Sequence, residues 1–349
     1  MYKVINNSTT RSNIKVSVVI PVFNELNYIK RTLDSFNKQL NRNFEVIIVD
    51  NGSSDNIQRF IKIYKKTLDY NIFLITEKHP GPGLARKKGF NFILKRLNEN
   101  KEINNINYFA TTDADVVVPS DWINKIIDGF ENNYKIGALA GSHKAFSNVD
   151  KEIKATMEIP LYFNIIPLII QCFQKYNIGK IKLSSSNCAF RSNIYAESKG
   201  FTQPYNFNGT VALHEAELLG NKILSNGYIV SSMHSVVQSS RRRHLYNLIN
   251  STNSYYIFKE SRFLSIREDE KTLLQIALES VSQKQWIQFR ENMINIVINN
   301  ILSKTFKNIN DLDIILKNKN FTKTLNKICD KSNIEYELIL KNINKLMNL

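Results

Sequence analysis

Thr112-Asp113-Ala114-Asp115 sets two carboxylates two residues apart, directly after a short apolar and β-branched run. In extended backbone, residues two apart point the same way, so both carboxylates would face one ligand. Hard divalent cations take oxygen donors, and Mg²⁺ or Mn²⁺ is commonly held by one or two carboxylates together with phosphate oxygens. A cation so placed would neutralise a diphosphate and stabilise charge building up on it as a leaving group. The structural alternative is a strand-end turn in which the aspartates accept from backbone N–H groups. A lone Asp-x-Asp is common, so the surrounding elements must decide.

Those elements favour the ligand reading. Val16-Ser17-Val18-Val19-Ile20 is rich in β-branched residues and reads as a buried strand stopped by Pro21. Asn24 is a suitable N-cap, and Ile29, Leu33 and Phe36 follow at helical spacing. A strand over 44–49 runs into Asp50-Asn51-Gly52-Ser53-Ser54-Asp55, turn chemistry that leads to a helix over 56–66. The pattern continues with a strand over 72–76, a loop holding Gly81-Pro82-Gly83, a helix over 84–97, and a strand over 108–112 that delivers Asp113. This alternation predicts βαβ units, hence an α/β fold with a Rossmann-like, mainly parallel sheet flanked by helices. Such sheets bind ligands beyond the carboxyl ends of their strands, where Asp50 and Asp113 fall.

After residue 135 the alternation loosens, with strands expected over 136–140 and 187–191 and a helix over 214–225. Beyond His244 the chain reads as helical. Trp286, Phe289, Met293, Val297 and Ile301 recur at steps of three and four, which marks one buried helical face. Met157 to Phe173 is the most apolar stretch, but it contains Pro160, Asn164 and Pro167 and falls short of the roughly 20 residues that cross a bilayer. It reads as core.

A formal net charge of +16 admits three anionic partners: nucleic acid, a membrane surface, or small polyanions such as nucleotide diphosphates. The basic residues do not interleave with aromatics as on a base-stacking surface, and no zinc-finger spacing occurs, so no nucleic-acid partner is expected. Cys172, Cys188 and Cys329 are few and widely spaced, which fits a reducing compartment rather than a disulfide framework. No charged-then-apolar leader is present, so the expected location is cytoplasmic, with peripheral contact to the inner face of the plasma membrane as an option. The Gly81-Pro82-Gly83 loop does not follow the first strand and matches neither G-x-x-x-x-G-K-[ST] nor G-x-G-x-x-G. P-loop nucleotide hydrolysis and hydride transfer are therefore disfavoured.

Val18 to Glu25 (VVIPVFNE), Val46 to Asp55 (VIIVDNGSSD), Gly83 to Gly89 (GLARKKG), Thr112 to Asp115, Pro119 to Ile123 (PSDWI) and Ser186 to Arg191 (SNCAFR) follow one another in order. Over roughly residues 16–245, this series resembles family 2 glycosyltransferases with the GT-A fold. The resemblance implies a nucleotide-binding half at 16–118 and an acceptor-binding half at 119–245. An N-terminal arm, 1–15, precedes them and a C-terminal helical region, 246–349, follows. It also implies inverting transfer of a sugar from a nucleotide diphosphate-sugar, a UDP-sugar first, to a glycan or lipid-linked acceptor, with Mn²⁺ or Mg²⁺. Bacterial polysaccharide or glycolipid assembly would be the setting.

By the same resemblance, Pro21, Phe23, Glu25 and Asp50 would contact the nucleoside. Asp113 would approach the ribose and the metal, Asp115 would ligate the metal, and Arg86 would lie near the diphosphate. Arg241, within Gln238-Ser239-Ser240-Arg241-Arg242-Arg243, would belong to a basic segment that closes over the diphosphate. The alternative for Arg86 is a solvated helix residue. His234 is a further candidate ligand, imidazole suiting Mn²⁺ less well than carboxylate.

One position departs from the family. An inverting transferase needs a carboxylate to take the proton from the acceptor hydroxyl, and in the family this is the Asp of a Glu-Asp pair opening a helix. Here His214-Glu215-Ala216-Glu217-Leu218-Leu219-Gly220 sets Glu215 at the family's Glu and Ala216 at its Asp. Glu215 is the first candidate for the base and Glu217, on another helical face, the second. Loss of the usual catalysis is the third outcome, leaving a catalytically silent nucleotide-sugar-binding or scaffold protein. A sugar nucleotidyltransferase ranks lower, because that class opens with a Gly-rich basic loop where this chain has Pro21-Val22-Phe23-Asn24-Glu25.

Overall fold

Val16–Val22 is apolar at nearly every position because both of its faces are covered. It is β2 of a nine-stranded sheet in the order β1-β4-β3-β2-β5-β8-β7-β9-β6. The computed structural model describes residues 5–6, 13–99, 106–131, 133–145, 183–205, 209, 211–212, 214–250, 270–286, 288, 319, 323 and 326. Its elements run β1 (Ile5–Asn6), β2, α1 (Leu26–Asn37), β3 (Phe44–Asp50), α2 (Ile57–Tyr64), β4 (Asn71–Thr76), α3 (Pro82–Glu99), β5 (Tyr108–Thr112), β6 (Val116–Val117) and α4 (Trp122–Glu131). Then come β7 (Ile136–Ala145), β8 (Asn187–Arg191), α5 (Ser192–Glu197), α6 (Glu215–Ser225) and β9 (Ile229–Ser239). The chain divides into two compact units, one of 1–143 with 181–238 and one of 144–180 with 239–349.

The expected α/β architecture is present in the first unit. Strands β4, β3, β2 and β5 are parallel neighbours. Strand β8 then runs antiparallel to both β5 and β7, and β1 runs antiparallel to β4 at the other edge. Strand period two sorts side chains between the faces. Val16, Val18 and Ile20 pack with Leu33 and Phe36 of α1, Ile61 of α2 and Trp122 of α4. Val19, Ile47 and Val49 face the other way, against Phe90 and Ile93 of α3 and Leu219 and Ile223 of α6.

Helix α3 is held to its face at several points along its length. A Cβ on Gly89 would lie 2.5 Å from Val19 Cγ1, so glycine is what lets the helix approach the sheet this closely. In the last turn of the helix, Arg96 donates to both oxygens of Glu45 at 2.9 and 3.1 Å. Ser17 donates to the same carboxylate at 2.7 Å. Glu45 is fully buried, and these partners compensate its charge.

Three details differ from the sequence expectation. Strand β2 continues through Pro21; the β5 ladder stops at Val19, so the missing Pro21 N–H interrupts nothing on that side. Asn24 is not the N-cap of α1. It sits at φ 54, its Oδ1 accepts from Ser54 N at 2.8 Å, and Asp55 Oδ2 accepts from Leu26 N, at the start of α1, at 2.8 Å. Strand β9, unmarked by any strong β-former run, also appears. Its buried positions shift phase between Val230 and Met233, beside His234 at φ 50, as a bulge would produce.

In the second unit α7 (Arg242–Asn250) and α8 (Glu270–Ser280) pack together. Leu245 and Leu248 of α7 and Leu273, Leu274 and Ala277 of α8 are buried. Trp286 is buried as its helical spacing predicts, while Phe289, Met293, Val297 and Ile301 and the Met157 to Phe173 stretch lie outside the described residues. Among the described residues, no helix is long and apolar enough to cross a membrane.

Three buried groups make stability depend on alkaline pH. Burial pushes the Cys188 thiol well above its ordinary 9.0. It likewise raises the Tyr195 phenol above its ordinary 10.0, against a lowering by the Phe201 N–H that it accepts. Burial also raises Tyr70, with the Asp34 charge adding to it. Each group stays protonated in the fold while its unfolded counterpart ionises. Their contribution is therefore intact below pH ~9 and declines as pH rises through and beyond the unfolded values, by up to about 1.4 kcal/mol per pH unit for each group. Urea unfolding at pH 8.5 and 10.5 should show a clear fall in midpoint; equal midpoints would refute it.

Candidate functional site

The strand order creates the site. From β2 the chain moves outward through β3 to β4, then returns to place β5 on the opposite side of β2. In such sheets the usual ligand position lies beyond the carboxyl ends of the strands at a reversal of this kind, here β2 and β5. The segments 23–25, 51–55 and 113–115 follow the adjacent strands β2, β3 and β5. They form one edge, and Asn51 N bonding to Val22 O at 2.8 Å and Asn24 N to Ser53 Oγ at 3.0 Å stitch the first two together.

Asp113 and Asp115 do not share an extended strand. Ala114 and Asp115 form a turn between β5 and β6, so the two-residue alternation argument does not apply to them. The turn is fixed from α1, where the Thr32 hydroxyl donates to Ala114 O at 2.7 Å and Ser35 Oγ accepts from Val118 N at 3.3 Å. Asp115 is 8% exposed, whereas the Asp113 side chain is 38% exposed.

Arg86 is the hub beneath this edge. It lies in the first turns of α3, one helical turn before Gly89, and is 1% exposed. Its Nε donates to Thr111 Oγ1 at 3.1 Å, its Nη1 to Glu215 Oε1 at 2.8 Å, and its Nη2 to Asp113 Oδ1. Thr111 in turn donates to Val19 O at 2.8 Å. The solvated alternative for Arg86 is thereby overturned, since a buried guanidinium needs such partners. Glu215 opens α6 and is 2% exposed; Ala216 is 3% exposed and packs among the apolar residues of α3 and α6. Glu217 is half-buried, two residues on.

The remaining candidates are placed as follows. Asp50 is 1% exposed; its Oδ1 accepts from Ser53 N at 3.0 Å and its Oδ2 from Gln58 Nε2, so it shapes its own loop. Pro21 is partly exposed, Glu25 is buried at the start of α1, and Phe23 is 46% exposed beyond β2. His234 is exposed on β9. Arg241 belongs to the second unit and is 6% exposed.

Sequence reasoning missed Asn51 and Gln203. Asn51 Nδ2 donates to Glu77 O at 3.0 Å and His79 O at 2.7 Å, and its Oδ1 accepts from Gly81 N at 2.8 Å. Gln203 Oε1 accepts from Gly83 N at 2.9 Å, in the first turn of α3. The Gly81-Pro82-Gly83 loop thus shapes the start of α3, with Pro82 as its first residue, and two of its N–H groups are used within the chain rather than left for a phosphate. Only the Asp-Asn-Gly turn signal hinted at Asn51; nothing marked Gln203, whose contact spans 120 residues.

The glycosyl transferase family 2 model matches residues 17–197, more than half of the chain, and the chain belongs to that family. A glycosyltransferase of Rickettsia felis is 31% identical over 187 residues, 53% of this chain and 28% of that protein. The poly-beta-1,6-N-acetyl-D-glucosamine synthase of Staphylococcus epidermidis is 30% identical over 127 residues, 36% of this chain and 28% of that protein. The matches cover about a quarter to a third of the length of these curated relatives. Among solved structures, a mannosyltransferase from Pyrobaculum calidifontis in complex with GDP-Man and Mn²⁺ aligns at a TM-score of 0.45 and 14% identity, over 99% of this chain and 90% of that one.

Proposed function

We propose that this chain is a glycosyltransferase that takes its sugar from a nucleotide diphosphate-sugar, with a divalent cation at Asp113 and Asp115, and transfers it with inversion to an acceptor hydroxyl. The observation that carries the reading is the joining of Asp113, at the end of β5, to Glu215, at the start of α6, by the buried Arg86 guanidinium. The end of β5 and the start of α6, two segments that the resemblance assigns to the site, are thus tied together by one side chain.

The chemistry of two carboxylates supports the cation. Asp113 and Asp115 are hard oxygen donors, one directly after β5 and the other in the turn that leads to β6. A pair of carboxylates suits Mg²⁺ or Mn²⁺ completed by phosphate oxygens and water, not an all-protein cage. The cation would neutralise the departing diphosphate. Phe23, exposed beyond β2, offers an apolar face to a base, and the 50–55 loop lies beside it. A carboxylate near the start of α6, where Glu215 and Glu217 lie, would complete the acceptor side. A UDP-sugar, a glycan or lipid-linked acceptor, and cytoplasmic polysaccharide assembly complete the proposal.

A thermal-shift screen of UDP, GDP, dTDP and CMP, each with and without Mn²⁺, tests it. One nucleotide should raise Tm only when metal is present, by the linkage of binding to folding. No metal-dependent shift with any of the four would overturn the donor reading.

A further inference from the structure

We infer that Glu215 acts on the donor side of the reaction, through Arg86, and is not the group that takes the acceptor's proton. The inference rests on the proposed donor role of Asp113 and gives Glu215 a positioning role within it. A base must present an oxygen within hydrogen-bond reach of the acceptor hydroxyl. Glu215 is 2% exposed, and its Oε1 accepts from Arg86 Nη1 at 2.8 Å. The solvent-facing end of this chain of contacts is Asp113, whose side chain is 38% exposed.

The guanidinium is a rigid planar fork, so holding two of its nitrogens aims the third. Thr111 receives Nε and Glu215 receives Nη1, which leaves Nη2 directed at Asp113 Oδ1, with Ser185 O as a longer second acceptor at 3.5 Å. Glu215 therefore sets the orientation of Asp113 without touching it, and Asp113 is the residue proposed to meet donor and cation. Ala216, in the family's position for the base, is buried among apolar side chains and supplies no acid there.

Two measurements test this. The first needs no ligand: a double-mutant cycle of Asp113→Asn and Glu215→Gln, read by urea unfolding. Coupling through Arg86 should make the double variant's unfolding constant differ by about fivefold or more from the value expected if the single effects multiplied. The same cycle in an Arg86→Met background should return to simple multiplication. Multiplicative effects in the wild-type background would overturn the inference.

The second is calorimetric titration of Mn²⁺ and the nucleotide diphosphate selected by the screen, without acceptor. Glu215→Gln should weaken binding about tenfold, as loss of a supporting partner behind a metal ligand does. Unchanged binding together with a kcat loss of about 10³-fold would instead make Glu215 the base. A wild-type protein that binds no nucleotide with metal would defeat the donor reading, and the ligand-free cycle would still decide the coupling.

Discussion

Arg86→Ala is expected to destabilise the first unit by about 3–5 kcal/mol, because it leaves a buried carboxylate without its cation. The size follows from burial at both ends of the pair, with side-chain exposures of 2% for Arg86 and 3% for Glu215. Urea unfolding followed by circular dichroism would measure it, and a loss below about 1 kcal/mol would refute the hub. Arg86→Lys separates charge from geometry. A single ammonium replaces three nitrogens that reach four different acceptors, so it should recover part of the stability and little of the activity. Transfer by the lysine variant should fall about 10²-fold, the usual consequence of a reacting group displaced by an ångström.

Asp115→Asn should abolish metal-dependent nucleotide binding and lower kcat/KM by about 10²–10³-fold, equivalent to roughly 3–4 kcal/mol of transition-state stabilisation. The amide keeps the shape of the side chain and removes the charge that a hard cation requires. Asp115 sits in a turn held by Thr32, so the substitution leaves the backbone support in place. Titrating Mn²⁺ into wild-type and variant proteins with a constant nucleotide concentration would read the effect directly. A variant that kept its Mn²⁺ dependence would move the cation away from this turn.

Much of the parallel half was legible because period and punctuation agree there. Strands over 108–112 and 187–191 match β5 and β8 residue for residue, since each is a short β-branched or apolar run bounded by polar residues. Strand β9 was not legible: serines, His234 and a bulge break its alternation, and neighbouring strands rather than its own composition hold it in the sheet. Asn24 was misread for a related reason. Its side chain has the chemistry of a cap, but Ser54 and Asp55 from the next loop supply the competing contacts.

Arg86 marks the division most clearly. Its type and its place in Gly83-Leu84-Ala85-Arg86-Lys87-Lys88-Gly89 suggested a phosphate contact or a solvated helix position. Local pattern could not choose, because the choice depends on Gly89 seating α3 against Val19 and on α6 arriving from 129 residues away. The order of the parallel strands and their helices, and the carboxylates that fall at the carboxyl ends of those strands, were determined by the sequence alone, through periodicity and turn chemistry. Which carboxylates are buried and which two the Arg86 guanidinium holds were decided only by tertiary structure, because those contacts join side chains that share no local period.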